Sequence, residues 1–211
     1  MAYYPVFLDL AGRGCVVIGG GPAAEDKVHG LLASGAAVTV VAEEVTRGLA
    51  ALAAAGRIDR HRRGFAAGDL AGARLAVVCA QPPEVVSAVW EESRRLGVLV
   101  NTIDDVAHCD FIAPAVVRRG DLQIAVSTGG RAPALAVRLR EKLERELGEE
   151  HARFLEMAGA VRSALAERRP DFAERRDLWY RLVDSDVLDL LRRGEDGAAA
   201  QRFAEILGVA P

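Results

Sequence analysis

The stretch CVVIGGGPAAEDKV, from Cys15 to Val28, decides the fold class of this chain. A short apolar run rich in β-branched residues ends in three consecutive glycines, and a run with helical periodicity follows. Glycine loses more conformational entropy on folding than other residues and adds no side chain to a core. Three glycines in a row therefore indicate a very tight turn or a ligand that approaches the backbone closely.

The glycines open the pattern Gly19-x-Gly21-x-x-Ala24, which is typical of dinucleotide-binding loops between a strand and a helix. The first glycine permits the turn, the second lets a diphosphate reach the backbone amides, and the alanine keeps the helix close to the sheet. The free N–H groups at the helix start then face the diphosphate. We predict cofactor contacts from the loop residues Gly19, Gly20, Gly21, Pro22, Ala23 and Ala24. A tight turn without a ligand is the alternative.

The first half of the chain alternates between two patterns. Short β-rich apolar runs predict strands at Val16–Ile18, Val38–Val41, Leu75–Cys79 and Val98–Ile103, with a weaker, polar edge strand near Ile58–His61. Helical patterns lie between them at Lys27–Ser34, Thr46–Ala55 and Pro83–Leu96. Strands that alternate with helices indicate a parallel sheet covered on both faces. We therefore predict an α/β fold with a Rossmann-type parallel sheet over residues 1–113.

The pattern changes after about Phe111. PAVVRRGDLQIAVST reads as two strands joined by a turn at Arg119–Asp121, and a helix is predicted from Pro133 to about Leu147. The rest, roughly Glu149 to Gly208, is charged and helical, with a break at Arg168–Arg169 before Pro170. We predict a small α+β segment over residues 114–147 and a helical C-terminal domain over 148–211.

Composition excludes several classes of function. The 211 residues carry a net charge of -3, which gives no reason to expect nucleic acid as a partner. No apolar run approaches the roughly 18 residues that a membrane span needs, and the N-terminus does not read as a secretory signal. Cys15, Cys79 and Cys109 lie far apart and form no metal-ligand spacing. We expect a cytoplasmic protein without a resident metal.

Glu43 follows the second strand, 19 residues after Ala24. This is close to the spacing of about 20 residues at which a carboxylate binds the ribose of a dinucleotide. Such a carboxylate accepts hydrogen bonds from the ribose hydroxyls and repels a 2′-phosphate, so we predict NAD rather than NADP. Glu44 is an equally placed competitor, and a solvated loop glutamate is the alternative. We interpret RIDRHRRG, Arg57 to Gly64, as a solvated edge.

The stretch VNTIDDVAHCDFIAPA follows the fifth strand. Ligands of open parallel sheets bind beyond the carboxyl ends of the strands, so Asn101 is predicted to contact the cofactor, and Asp104, Asp105 and His108 are predicted to be catalytic. Two close carboxylates raise one another's pKa, which suits a proton acceptor. The pattern leaves open which aspartate faces the cleft. An N-cap or turn aspartate is the alternative.

STGGRAP, Ser127 to Pro133, ends a strand and opens a helix, which favours an anion site. Several arginines occur in the same region, and guanidinium groups pair with carboxylates in a fixed geometry. We predict a substrate with several carboxylates; ordinary surface charge is the alternative. The predicted substrate-binding residues are Ser127, Thr128, Gly129, Gly130, Arg131, Arg118 and Arg119, with Arg138 and Arg140 nearby in the sequence.

Together these blocks resemble the precorrin-2 dehydrogenase / sirohydrochlorin ferrochelatase family, the N-terminal module of siroheme synthases. The resemblance rests on YPVFLDLAGRGCVVIGGGPAAEDKV, GAAVTVVAEE and VNTIDDVAHCDFIAPAVVRRGDLQIAVSTGGRAPALAVRLREKLE, and it runs from Tyr4 to about Leu147 and more loosely through the tail. The second half of this order, with CDF, RGDL and STGG, is specific to the family. It implies NAD-dependent oxidation of precorrin-2, a tetrapyrrole, to sirohydrochlorin.

The resemblance implies further properties. Asp104 matches the family's acid/base residue, some members also insert ferrous iron, and members form homodimers through the segment after the nucleotide domain. We expect a stand-alone dehydrogenase in which 114–147 is the dimerisation segment; whether it inserts iron and how tightly the dimer holds stay open. The rival interpretation is a non-catalytic NAD-sensing regulatory module. Such a module would need the glycine loop and Glu43 but not Asp104.

Overall fold

The first unit of the chain is built on one parallel sheet. The computed structural model describes residues 3–211, and the chain divides into one unit that ends at Ala113 and another that begins at Pro114. The strands of the first unit are β1 (Gly14–Ile18), β2 (Ala37–Val41), β3 (Asp59–His61), β4 (Ala73–Val78) and β5 (Leu99–Thr102). Their order is β3-β2-β1-β4-β5, and every neighbouring pair is parallel.

Both faces of this sheet are buried. The helices α1 (Pro22–Leu32), α2 (Arg47–Ala54) and α3 (Pro83–Leu96) connect the strands. Successive side chains of a strand point to opposite faces, so Val17 packs in the cluster that holds Val28 of α1, whereas Ile18 packs with Val89 of α3. The strand order reverses between β1 and β4. In doubly wound sheets this reversal opens a crevice at the carboxyl ends of the strands, where ligands bind.

The predicted α/β sheet is confirmed, and so is the edge position of the polar strand β3. The prediction for the first helix was wrong at its start. The helix begins at Pro22 rather than at Lys27, because proline fits the first helical position, where its missing N–H has no intrahelical partner. The apolar periodicity that was used to place this helix is visible only from Val28 onward.

The second unit combines a hairpin with helices. Strands β6 (Ala115–Arg119) and β7 (Leu122–Val126) pair antiparallel, and the helices are α4 (Pro133–Glu146), α5 (Glu150–Arg168), α6 (Phe172–Val183), α7 (Val187–Arg192) and α8 (Asp196–Leu207). Leu165, Leu182 and Phe203 are fully buried in one cluster of the helical part. The predicted break before Pro170 is present, because α5 ends at Arg168. Within residues 3–211, no helix combines the length and the apolar character needed to cross a membrane.

Candidate active site

The three glycines after β1 have different surroundings. Gly19 has a φ of +119°, and a Cβ atom there would collide with the carbonyl oxygen of Cys79. At Gly20 a Cβ atom would collide with the carbonyl oxygen of Glu44. At Gly21 a Cβ atom would meet nothing within 4 Å. The fold therefore requires the first two glycines, whereas the third borders open space.

This open space lies at the N-terminus of α1. Gly21 is the N-cap residue, no side chain caps the helix, and Pro22 occupies the first turn. Ala24 is fully buried and holds the helix against the sheet. Uncapped N–H groups at a helix start attract anions such as a diphosphate. The residues present therefore fit the diphosphate of a dinucleotide, and the individual contacts of Gly19 to Ala24 stay predictions.

The two glutamates after β2 are both exposed, so the geometry does not choose between them. The carbonyl oxygen of Glu43 accepts a hydrogen bond of 2.7 Å from Nη2 of Arg60. The interpretation of Arg57 to Gly64 as a solvated edge is wrong for Arg60, which is half-buried on β3. The sequence signal that was missed is the position of this arginine at the end of the strand that neighbours β2.

The loop after β4 also reaches the glycines, although none of the sequence motifs points to it. Ala80 has a φ of +48°, which is uncommon for a residue with a side chain. Nε2 of Gln81 donates a 3.0 Å hydrogen bond to the carbonyl of Cys79, the group that faces Gly19. The strand order would have pointed to this loop, because β4 lies beside β1 at the crevice.

The loop after β5 separates the roles of the two adjacent aspartates. Asp104 is exposed and has a φ of +62°. Asp105 caps a short 3₁₀ helix (Val106–His108): its Oδ1 accepts from the N–H of Ala107 at 3.2 Å, and its Oδ2 lies 2.6 Å from Nδ1 of His108. The hydrogen bond from His108 holds the pKa of Asp105 below its usual range. The expected rise in pKa is therefore wrong for Asp105, which is a capping and positioning carboxylate.

His108 is held in one orientation. Since a carboxylate only accepts hydrogen bonds, the contact with Asp105 places a ring proton on Nδ1 of His108. The other ring nitrogen, Nε2, takes no part in this hydrogen bond. The ring edge packs against Trp90 with centroids 5.6 Å apart, and the guanidinium of Arg94 stacks 4.1 Å from the Trp90 centroid. Arg94 also forms an ion pair with Asp110. These contacts anchor the loop to α3.

Asn101 has a structural contact that sequence analysis did not anticipate. Its side chain is buried, and Nδ2 donates a 3.0 Å hydrogen bond to the carbonyl of Phe111. Thr102 holds the same loop, because its hydroxyl donates to the carbonyl of His108 at 2.9 Å. Asn101 thus ties the loop to β5, and its predicted contact with the cofactor stays a prediction.

The predicted substrate-binding residues all lie in the second unit. The loop between β7 and α4 turns through Gly129 and Gly130, with φ values of +62° and +77°. Oγ of Ser127 accepts from the N–H of Gly129 at 3.1 Å, and Oγ1 of Thr128 accepts from the N–H of Ala132 at 3.2 Å. Arg131 is exposed. The loop is therefore shaped by its own hydroxyls.

Arg119 does not fit its predicted role. Its Nε donates to the carbonyl of Leu147 and its Nη2 to the carbonyl of Glu144, both at 2.8 Å, and its Nη1 donates to the carbonyl of Arg118 at 2.7 Å. These bonds satisfy the last turn of α4 and commit the guanidinium to the fold. Arg118 itself is exposed. Arg138 and Arg140 pair with glutamates of their own helix.

Three family models together cover most of the chain. The NAD(P)-binding model matches residues 6–115, the model described as sirohaem biosynthesis protein central matches 119–146, and the sirohaem synthase dimerisation region matches 150–207. The prediction of a nicotinamide dinucleotide cofactor is thereby confirmed. The model named for dimerisation lies after the segment 114–147 that we expected to carry this role.

The relatives are siroheme synthases and a dehydrogenase. Siroheme synthase 1 of Aeromonas salmonicida is 38% identical over 98% of this chain and 44% of its own length, and siroheme synthase of Chromobacterium violaceum is 35% identical over 94% and 42%. The chain spans less than half the length of these relatives. A solved structure, SirC, precorrin-2 dehydrogenase, matches with a TM-score of 0.75 and 25% identity over 98% of this chain and 100% of that one. The chain belongs to the family of NAD(P)-binding proteins whose model matches more than half of it, and most of the rest matches the two sirohaem models.

Proposed function

We propose that this protein oxidises precorrin-2 to sirohydrochlorin with NAD as the oxidant. One observation carries the proposal: the open, uncapped glycine loop after β1 and the exposed carboxylate of Asp104 after β5 occupy the carboxyl edge of one sheet. The match to SirC, precorrin-2 dehydrogenase, over nearly the whole of both chains supports this activity. The siroheme synthase relatives support the same pathway.

Each residue of the β5 loop has a separate role in this proposal. Bound NAD supplies the hydride acceptor. Asp104 receives the accompanying proton, because its carboxylate is exposed whereas that of Asp105 is engaged by His108. Asp105 keeps His108 in one tautomer and orientation. The left-handed backbone at Asp104 is uncommon for a residue with a side chain, and such conformations occur at functional sites.

We propose that the exposed cations and the glycine loop of the second unit bind the carboxylates of the tetrapyrrole. Arg118 and Arg131 are exposed, and Gly129 and Gly130 present open backbone. Guanidinium groups bind carboxylates in bidentate geometry. Arg119 is left out of this set, because its guanidinium is bound to main-chain carbonyls.

The test is an anaerobic assay with precorrin-2 and NAD that follows the formation of sirohydrochlorin and the absorbance of NADH. We expect turnover by the wild-type protein and a loss of about a hundredfold or more in kcat for Asp104→Asn, the range of general acid–base catalysis. Asparagine has the shape of aspartate and tolerates positive φ, so the fold and NAD binding should persist.

Asp59→Asn is the matched control, because Asp59 is an exposed aspartate of the same unit on β3. It should retain wild-type turnover. Full activity of Asp104→Asn would remove Asp104 from the mechanism. A wild-type protein that binds NAD but shows no turnover at any pH would refute the dehydrogenase and favour the regulatory alternative. None of the matched families or relatives named above is described as a regulatory module.

Insertion of ferrous iron into sirohydrochlorin is a second candidate activity. It is favoured by His108, whose Nδ1 faces Asp105 and whose Nε2 is left for a metal ion or a pyrrole proton. The name siroheme synthase of the relatives is consistent with it. The deciding assay is insertion of cobalt or ferrous ion into sirohydrochlorin without NAD, in which we expect His108→Ala to lose more activity than Asp59→Asn.

We also propose that the chain forms a homodimer and keeps the three-part organisation 1–113, 114–147 and 148–211. The dimerisation model supports the first proposal. Large apolar side chains are exposed on two helices of the second unit, Leu135, Val137 and Leu139 on α4 and Phe172, Tyr180 and Val183 on α6. Sedimentation equilibrium should give twice the chain mass.

The three cysteines are free, which fits a reducing compartment, and we propose the cytoplasm.

A further inference from the structure

Two neighbouring strands place Arg60 beside Glu43, the residue predicted to bind the ribose of the cofactor. In the β2–β3 pairing Arg60 lies opposite Val40, one residue before His61. Its Nη2 reaches across to the carbonyl oxygen of Glu43 at 2.7 Å. Glu43 is the residue whose spacing from the glycine loop is that of a ribose-binding carboxylate. A guanidinium therefore lies beside the residue that is expected to receive the ribose.

The guanidinium of Arg60 has an unused donor. Its Nε is buried and lacks a hydrogen-bond partner among the residues that the structure describes. A buried N–H without an acceptor carries a free-energy penalty and calls for an explanation. Arg63 of the same run is different, because its guanidinium pairs with Asp69. Nη2 makes one hydrogen bond, to the carbonyl of Glu43, and Arg60 is only half-buried, so N–H groups at the tip of its five-donor guanidinium remain for an acceptor outside the chain.

We propose that Arg60 determines the coenzyme specificity of this site and lets it accept the 2′-phosphate of NADP in addition to NAD. Guanidinium groups bind phosphate through charge-assisted hydrogen bonds, and an arginine near the ribose accommodates a 2′-phosphate in related folds. The carboxylate of Glu43 repels that phosphate, and the charge of Arg60 offsets the repulsion. The inference rests on the cofactor site of the proposed function and needs no particular substrate.

The experiment measures binding, by isothermal titration of the full chain with NAD and with NADP in separate runs. Wild-type protein should bind both, with dissociation constants within about tenfold of each other. Arg60→Met, which keeps the aliphatic stem, should weaken NADP by about tenfold or more and NAD by less than about threefold, since only the phosphate loses a charged hydrogen bond. Arg62→Met is the matched control, because Arg62 is exposed on the same run and the variant loses the same charge.

Two further arms keep the inference testable if Arg60→Met does not fold. Glu43→Gln should tighten NADP and leave NAD weaker or unchanged. On the wild-type protein, adenosine 2′,5′-bisphosphate should bind at least about tenfold tighter than adenosine 5′-monophosphate. The inference alone would be overturned by a wild-type protein that binds NAD but not NADP, and that binds the bisphosphate no more tightly than the monophosphate. A protein that binds no NAD would overturn the cofactor site in the proposed function as well.

Discussion

The substitution Gly21→Asp should separate nucleotide binding from folding. Gly21 has a φ of -80° and a ψ of -176°, which any residue can adopt, and a Cβ atom there meets nothing within 4 Å. Aspartate is also a preferred N-cap residue and exceeds glycine by only a few tenths of a kcal/mol. The free energy of unfolding should therefore stay within about 0.5 kcal/mol of the wild-type value.

The same substitution should abolish NAD binding for two reasons. The new carboxylate would accept hydrogen bonds from the first-turn N–H groups of α1, which are the donors that a diphosphate needs. It would also place a negative charge beside the diphosphate. Two like charges about 4 Å apart repel by about 4 kcal/mol at an effective dielectric constant of about 20. This corresponds to a loss of about a thousandfold in affinity.

The assay pairs calorimetric titration of NAD with thermal unfolding of the same samples. Gly21→Asn carries the same cap without the charge and should lose less affinity than Gly21→Asp. Gly20→Ala should lose stability, unlike Gly21→Asp. Its Cβ atom would collide with the carbonyl of Glu44, so its free energy of unfolding should fall by about 1–3 kcal/mol. A folded Gly21→Asp protein with wild-type affinity for NAD would refute the placement of the diphosphate on this loop.

Other consequences concern side chains that hold the fold. Hydrogen bonding from Arg63 keeps the pKa of Asp69 below its usual range. The ionised Asp69 therefore stabilises the fold above about pH 4, and this contribution is lost as the pH falls through the folded-state pKa of Asp69. Urea unfolding should show Asp69→Asn less stable than the wild type at pH 7, with a difference that shrinks toward pH 3. Arg119→Ala should lower the free energy of unfolding by about 1–3 kcal/mol. Replacement of the exposed Arg118 by alanine should leave the free energy of unfolding unchanged and raise KM for precorrin-2. Equal stability losses in the two variants would contradict the assignment of Arg119 to the end of α4.

The parallel sheet could be predicted because its signal is local. β-branched apolar runs of four to six residues form strands wherever both faces are covered, and helical periodicity between them demands crossover connections. The start of α1 could not be placed from the same signal. Its first turn, Pro22 to Glu25, follows the glycine loop and carries little of the apolar stripe. The boundary is therefore set by the fit of proline to the first helical position and not by hydrophobic spacing.

The candidate site was predicted less completely than the sheet. The motifs placed Asp104, Asp105 and His108 on one loop, and the structure has them on the loop after β5. Spacing could not say which aspartate forms the hydrogen bond with His108. That distinction depends on a hydrogen bond across one turn of 3₁₀ helix. Arg119 and Arg60 were misread because a guanidinium reaches several ångströms to carbonyls that are distant in sequence.

The order of residues alone determined that this chain carries a glycine-rich turn and a strand-helix alternation, because backbone conformation and hydrophobic period are properties of neighbouring residues. Tertiary structure decided which polar groups remain available. Gly20 is enclosed by the chain near Glu44 while Gly21 stays open, and Asp105 is engaged while Asp104 is exposed. Adjacent residues of one type differ here because each hydrogen bond and each steric contact depends on a partner that the fold alone brings near.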